Sequence, residues 1–191
     1  MSPGAHQSLR LLMLLCSLLT LAFIPSAANA EFHVHKVETS LVDDSYYLDA
    51  QIDYGFSSAA LEALDNGVPL TMEVHVQVRS ADAWIWDESL LDQRLRYRIH
   101  YKPLSERYQV TPLPGAGGRS FVTRDAAITA LGEIHGLQLV GGQRLDPELD
   151  YEIHIKAALD TEELPLPLRP MAYLLPSWRL SSGWTSWPLQ P

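Results

Sequence analysis

The chain has 191 residues and a formal net charge of −9, with 23 acidic residues against 14 basic ones. Repulsion from phosphate argues against a nucleic-acid partner, and the same charge disfavours nonspecific adhesion to an anionic lipid surface. The one cysteine, Cys16, lies in the N-terminal segment. The rest of the chain therefore has no thiol for disulfides, thiolate catalysis or metal ligation.

Residues 1–30 have the pattern of a signal peptide. A single basic residue, Arg10, precedes an apolar run at residues 11–24, which is too short for a comfortable bilayer span. Residues 28–30, Ala-Asn-Ala, have the A-x-A form that signal peptidase reads. The sequence predicts export to the periplasm, cleavage, and a mature chain that begins at Glu31.

Two alternatives concern this N-terminal segment. Cys16 raises the possibility of a lipoprotein, but it lies in the middle of the apolar run and follows Leu15, where a small residue is required. The other alternative is an uncleaved membrane anchor, which N-terminal sequencing would distinguish from a cleaved signal peptide. Beyond residue 30 no apolar stretch reaches spanning length, so we expect no direct membrane span after cleavage and one β-rich domain over residues 31–191.

Alternation of apolar and polar residues with a period of two dominates residues 31–191. In residues 91–101, for example, apolar side chains share one strand face while charged and polar side chains share the other, with Gln93 as the one interruption. Such strands bury one face and expose the other to solvent, as in antiparallel sheets. The clearest strands are predicted at residues 47–54, 71–79, 91–101 and 151–159, and weaker ones at 32–41, 108–113, 137–140 and 178–187.

Two short helices are predicted between the strands. Ser57 or Ser58 caps the first helix, which ends at Asn66-Gly67, and the second helix runs from Thr123 towards Gly136. Both are too short to be stable alone, so each must dock on a sheet. The pattern favours a mainly β fold: an antiparallel β-sandwich, or an open barrel, with two short docked helices.

The segment at residues 164–170, Leu-Pro-Leu-Pro-Leu-Arg-Pro, is predicted to be an extended surface crossover. Its prolines exclude it from a central strand. The interleaved leucines favour packing along the chain's own domain, and docking to an external aromatic groove is the alternative.

Five tryptophans and a row of arginines are the candidate contacts for a ligand or partner. Exposed aromatic clusters stack on sugars or anchor proteins, whereas buried ones fill a core. We favour the core for Trp86, Trp178 and Trp184, and less so for Trp84. The arginine row would bind a carboxylate or phosphate group, unless it pairs across strands with Asp49, Asp53 or Glu73, which we favour. The complete candidate set is Trp84, Trp86, Trp178, Trp184, Trp187, Arg94, Arg96 and Arg98.

Metal binding and catalysis receive little support from the sequence. His33 and His35 share a predicted strand face, and His75, His100 and His154 all fall on outward rows, but scattered surface histidines are the commoner case. No G-x-S-x-G, H-E-x-x-H, P-loop or dinucleotide motif is present. We therefore expect no cofactor, no metal and no enzymatic activity, with a hydrolase of unidentified site as a remote alternative.

The C-terminal region carries a family resemblance. Residues 175–187, Leu-Pro-Ser-Trp-Arg-Leu-Ser-Ser-Gly-Trp-Thr-Ser-Trp, follow the Leu-Pro repeats, and Phe-Val-Thr-Arg-Asp at residues 121–125 opens the second helix. This layout resembles an uncharacterised family of exported proteobacterial proteins, domain-of-unknown-function family 4390. The resemblance implies no assigned activity or catalytic residue. Genes for such proteins often lie near those for a membrane sensor kinase, which implies a role in the envelope.

Two functions follow from the sequence as hypotheses of different classes. The first is a non-enzymatic module that binds an envelope or inner-membrane protein through its tryptophan-rich end. The family resemblance links this module to a sensor kinase system. The second is a β-sandwich that binds a small ligand or glycan through the arginine row and nearby aromatic side chains.

Overall fold

The computed structural model describes residues 31–82, 89–115 and 117–190. The predicted signal peptide at residues 1–30, and with it Cys16, lies outside these residues, as do Trp84 and Trp86. Within the described ranges, no helix has the length and apolar character needed to cross a membrane.

The described residues form nine strands and three α-helices. The strands are β1 (Phe32–Val42), β2 (Ser45–Tyr54), β3 (Leu70–Ser80), β4 (Leu91–Lys102), β5 (Arg107–Leu113), β6 (Arg119–Phe121), β7 (Glu133–Gly141), β8 (Tyr151–Leu159) and β9 (Thr185–Pro188). The helices are α1 (Ser58–Asp65), α2 (Arg124–Leu131) and α3 (Arg169–Leu174).

Two antiparallel sheets make up the fold. The smaller sheet has the strand order β1-β2-β7, and the larger has the order β6-β5-β4-β3-β8-β9. The ladders of the described strands divide into two separate sheets, so the predicted mainly β sandwich is confirmed, without closure into a barrel.

The core lies between the two sheets and follows the predicted alternation. On β3, Met72, Val74, Val76 and Val78 are fully buried. They face the same interior as the fully buried Ile153 and Ile155 of β8 and the apolar row of β2, namely Leu48, Ala50 and Ile52. Burying a side chain of this size contributes about 1.5–3 kcal/mol, so these rows fix which face of each strand points outward.

The helices differ in part from the predictions. Ser57 is the N-cap of α1 and accepts a hydrogen bond from the Ala60 N–H. Thr123 caps α2 in the same way, but α2 ends at Leu131, well before Gly136. Gly136 instead lies within β7 at φ +58°, a conformation that favours glycine.

The predicted extended crossover is wrong from residue 166 onward. Residues 166–168 form a turn in which the Leu168 N–H donates to the Pro165 carbonyl at 2.9 Å, and α3 makes a third helix directly after it. Pro170 is tolerated in its first turn, where a backbone N–H would have no intrahelical partner. Leu164 is fully buried and Leu168 is half-buried, so these two leucines do pack on their own domain. The last strand, β9, is shorter than the predicted 178–187, and Pro188 is compatible with its position at the sheet edge.

One end of the sandwich is organised around α1. The Tyr108 hydroxyl donates to Asp65 of α1 at 2.8 Å, and a side chain at Gly67 would meet the Tyr101 carbonyl and Pro103. The first described residue, Glu31, is at this end too, because its carbonyl accepts a hydrogen bond from the Gly55 N–H just before α1. We call this the α1 end.

At the opposite end, the C-terminal segment joins the two sheets. The Gln190 N–H donates to the Thr39 hydroxyl, and the Thr39 hydroxyl donates to the Gln190 carbonyl. Thr39 belongs to β1 of the smaller sheet, while Gln190 follows β9 of the larger one. This contact therefore fixes the last described residues across the open side of the sandwich.

Candidate functional site

The outer face of the larger sheet carries most of the candidate residues. Because side chains alternate along each strand, the polar residues of β3, β4 and β8 come to lie side by side. The register places Arg94 opposite His75 and Arg96 opposite Glu73. We call this surface the charged face, and its members are Glu73, His75, Gln77, Asp92, Arg94, Arg96, Arg98, Glu152, His154 and Lys156.

The arginine row is held by acidic side chains. Arg94 Nη1 lies 3.3 Å from Glu73 Oε1, which is the cross-strand pairing that the sequence predicts. The predicted partners Asp49 and Asp53 do not take part, because both belong to β2 of the other sheet. There Asp49 pairs with His135 at 3.2 Å.

Arg96 and Arg98 pair with acidic side chains of a loop that the sequence pattern does not connect to them. Arg96 Nη2 lies 3.0 Å from Asp160 and 2.9 Å from Glu163, and Arg98 Nη2 lies 3.2 Å from the other oxygen of Glu163. The hydrogen bond from Arg96 lowers the pKa of Glu163, and the same contact raises the pKa of Arg96 against the opposing effect of burial. Glu163 thus bridges two arginines as a carboxylate.

The local structure after β8 positions these two acids. Asp160 caps a single 3-10 turn, Thr161–Glu163, by accepting the Glu162 N–H at 3.0 Å. Its own N–H donates to the Thr71 carbonyl at 2.8 Å, which ties the turn to the start of β3. The signal for this arrangement is the Asp-Thr-Glu-Glu sequence next to a strand end, but sequence spacing alone does not show which strand it covers.

A second polar cluster occupies the middle of the charged face. His75 Nε2 lies 2.7 Å from one oxygen of Asp92, and Gln77 Nε2 donates to the other oxygen at 2.7 Å. The Gln77 hydrogen bond, followed by that from His75, lowers the pKa of the Asp92 carboxyl. The indole of Trp184 lies against the His75 ring, with the ring centroids 4.9 Å apart.

The described tryptophans have three different environments. Trp178 is 4% exposed and belongs to the core, as predicted. Trp184 is 47% exposed, so the prediction that it lies in the core is wrong: it projects from the chain before β9 over the outer face. Trp187 is half-buried and packs against the core from β9, opposite Ile153.

A shallow cleft of about 330 Å³ lies beside the arginine row. Glu73 and Arg94 form one side, and Ala158 to Glu162 form the other. Arg94 pairs with Glu73 within the cleft and Asp160 pairs with Arg96 beside it, whereas Glu162 is exposed, so the cleft presents peptide groups and mainly acidic side chains.

The histidines do not converge as a metal site would require. His35 pairs with Asp53 at 3.0 Å, and a register shift between Val34 and Lys36 disturbs the strand next to His33. His75 and His154 lie on adjacent strands, but His100 lies near the α1 end opposite Gln109 of β5. Within residues 31–82, 89–115 and 117–190, no three histidine, cysteine or acidic side chains are grouped as ligands.

Comparison with known proteins gives one family. No curated protein and no solved structure matches the chain. The model of the family described as Domain of unknown function (DUF4390) matches residues 29–188. This match spans both sheets, all three helices and the charged face, and the chain therefore belongs to the domain of unknown function family DUF4390.

Proposed function

We propose that this protein is an exported, non-enzymatic module that binds another envelope protein through the charged face, with Trp184 as the anchor. The observation that carries the proposal is the half-exposed Trp184 indole, held on the His75 ring among paired charges. Tryptophan and arginine are enriched where interface energy concentrates.

The ion pairs on the charged face support protein recognition. Arg96 and Arg98 are fixed by Glu163 and Asp160, so a partner meets side chains that have already lost much of their rotamer freedom. Preorganisation of this kind lowers the entropic cost of binding. Placement in the envelope is supported by the signal-peptide pattern of residues 1–30 and by the absence of cysteine from residue 17 onward.

The remaining groups do not suggest a reaction. The His75–Asp92 pair is the kind of dyad that assists a nucleophile, but within the described residues the hydrogen bonds of His75 go to Asp92 and Gln77. No hydroxyl or thiol takes part in that cluster, so we propose a binding role and no catalysis.

A second candidate is a small-ligand or glycan site at the same place. The exposed Trp184 ring is a stacking surface for a sugar, and the 330 Å³ cleft beside Arg94 offers polar groups for hydroxyls. Soluble oligosaccharides added as competitors distinguish the two: they displace a glycan from this face, but not a protein whose contact extends beyond it.

The experiment is affinity capture from detergent-solubilised envelopes with wild type, Trp184→Ala and Leu149→Ala. Leu149 is the matched control because it is 45% exposed and lies just before Tyr151, which pairs with Ser80 at the opposite end from α1. A captured protein is then purified and titrated. We expect Trp184→Ala to weaken its binding at least about tenfold, while Leu149→Ala leaves it unchanged. Equal loss with both variants, or none with either, contradicts the proposal.

A further inference from the structure

Exposed apolar side chains are concentrated near α3. Leu174 is 77% exposed and Leu166 is 74% exposed, and three more large apolar residues project from the same ten-residue stretch. We call this set the ridge, and its members are Leu166, Met171, Tyr173, Leu174 and Leu175. Exposed large apolar side chains concentrated in one segment indicate a surface that a partner or a membrane covers.

The ridge lies at the α1 end of the sandwich. The 3-10 turn Pro176–Trp178 that follows it packs against α1. Two further exposed apolar residues emerge at this end: Leu104, from the turn after β4, and Val122, just before α2. Apolar exposure is therefore not confined to one helix but extends over this end of the domain.

The chain outside the described residues joins the domain at the same end. Glu31 contacts Gly55 just before α1, so residues 1–30, with their apolar run at 11–24, attach there. Under the proposed export that run enters the bilayer, and the α1 end is the part of the domain to which it is joined. The ridge then lies on the side of the domain that faces the lipid.

Charge is also compatible with lipid. Residues 164–191 contain no acidic residue and two arginines, Arg169 and Arg179, in a chain with a net charge of −9. Both guanidinium groups donate to backbone carbonyls of the segment, Arg169 to Leu164 at 2.7 Å and Arg179 to Tyr173 at 2.9 Å. An exposed apolar segment with a tyrosine and flanking cations is typical of an interfacial contact.

We propose that the ridge inserts about 5–10 Å into the interfacial region of a lipid bilayer, the depth typical of interfacial helices, so that the α1 end faces the membrane. This inference rests on the export part of the proposed function but not on its protein partner. The charged face then extends away from the lipid surface.

The test uses the full chain in vesicles of phosphatidylethanolamine and phosphatidylglycerol. Cys16→Ser removes the natural thiol, and a single cysteine at position 166 or 149 carries an environment-sensitive dye. Both proteins keep residues 1–30, which join the domain at the α1 end, so Leu174→Asp is added to each to separate the effect of the ridge from that of this attachment. Both replaced leucines are exposed, and far-UV circular dichroism checks that the fold is retained.

We expect the dye at position 166 to shift to the blue on vesicles and to be quenched by spin-labelled lipid at least about fivefold more than the dye at position 149. Adding Leu174→Asp should abolish that quenching. Equal quenching at the two positions, no quenching, or quenching at 166 that Leu174→Asp leaves unchanged overturns the proposal. A blue shift at 166 that spin-labelled lipid does not quench also overturns it, because a protein surface or a second copy then covers the ridge. These outcomes do not affect the Trp184 capture experiment, which tests the proposed protein partner independently.

Discussion

The indole of Trp184 lies against the imidazole of His75, with ring centroids 4.9 Å apart, and so joins the C-terminal segment to the centre of the larger sheet. The contact is made on the outer face, where His75 also holds Asp92. Trp184 is therefore fixed in position although nearly half of its surface remains exposed.

The tryptophans differ in what they contribute to stability. Trp178→Ala removes a side chain that is 4% exposed from the core, so we expect a loss of about 3–5 kcal/mol in the free energy of unfolding. Trp184→Ala should cost about 1 kcal/mol or less, because its ring is half in solvent. Urea unfolding followed by circular dichroism measures both values. Similar losses for the two variants would contradict the assignment of Trp184 to the surface.

Asp92 makes the charged face sensitive to acid. Its pKa is lowered in the folded protein, so the carboxylate adds stability above the ordinary carboxyl pKa of about 4, and this is lost as the pH falls through the lowered value. The side chain is half-exposed, so the effect is below about 1 kcal/mol. Asp92→Asn should therefore lose less stability than wild type between neutral pH and about pH 3.

Urea midpoints across that pH range measure the difference. Glu148→Gln is the control, because it removes an exposed carboxylate away from this cluster. Superimposable pH profiles for wild type and Asp92→Asn would show that the Gln77 and His75 contacts do not favour the ionised form.

The acidic turn after β8 determines whether the arginine row is available to anions. Replacing both acids, as Asp160→Asn with Glu163→Gln, releases Arg96 and Arg98. We expect sulfate to raise the unfolding free energy of this double variant by about 1 kcal/mol at several times its dissociation constant, with little effect on wild type. Thermal unfolding in a sulfate series measures the change.

Two controls accompany the sulfate series. Glu162→Gln, which removes the exposed neighbouring acid, should behave like wild type. Adding Arg96→Glu to the double variant should abolish the response. If wild type responds to sulfate as strongly as the double variant, the arginine row is an anion site in its own right and the ion pairs do not mask it.

Two tyrosines should respond in opposite directions to loss of the hydroxyl. The Tyr54 hydroxyl is buried without a hydrogen-bond partner among the described residues, and burial raises its pKa. Tyr54→Phe should be neutral or stabilising by about 1 kcal/mol, since no hydrogen bond is lost and a desolvated polar atom is removed. The control is Tyr108→Phe, which loses the 2.8 Å bond to Asp65 and should cost about 1 kcal/mol. Chemical denaturation gives both values, and destabilisation by Tyr54→Phe would indicate a hydrogen-bond partner.

The sequence predicts the strands well because burial of one sheet face requires apolar residues at alternate positions, and this alternation is visible locally in the sequence. Met72, Val74, Val76 and Val78 of β3 all face the core as that pattern requires. The α1 cap is predictable for a similar reason, since Ser57 and Gly67 are local signals. What the sequence cannot supply is which strands are neighbours, and so it could not exclude Asp49 and Asp53 as partners of the arginine row.

The candidate site depends on contacts between residues far apart in sequence. Glu163 reaches Arg96 and Arg98 only after β8 has paired with β3, and Trp184 reaches His75 only after the chain has returned towards β9. The conformation of residues 169–174 was also unpredictable from composition, because proline is compatible with both an extended chain and a first helical turn. The sequence identifies the arginine row and the tryptophans as candidates, but their contacts depend on the tertiary structure.

Site-specific photo-crosslinking in native envelopes tests the binding proposal most directly. A photoreactive amino acid replaces Ser186 in one full-length protein and Leu149 in another, and adducts are identified by mass spectrometry after irradiation. Ser186 is exposed and lies opposite His154 on the charged face, so this position keeps Trp184 in place. The proposal predicts one discrete protein adduct from position 186 that is absent from position 149 and is lost when Trp184→Ala is added. No protein adduct at position 186, the same adducts from both positions, or an adduct that Trp184→Ala leaves unchanged would contradict the role of Trp184 as the anchor for an envelope partner.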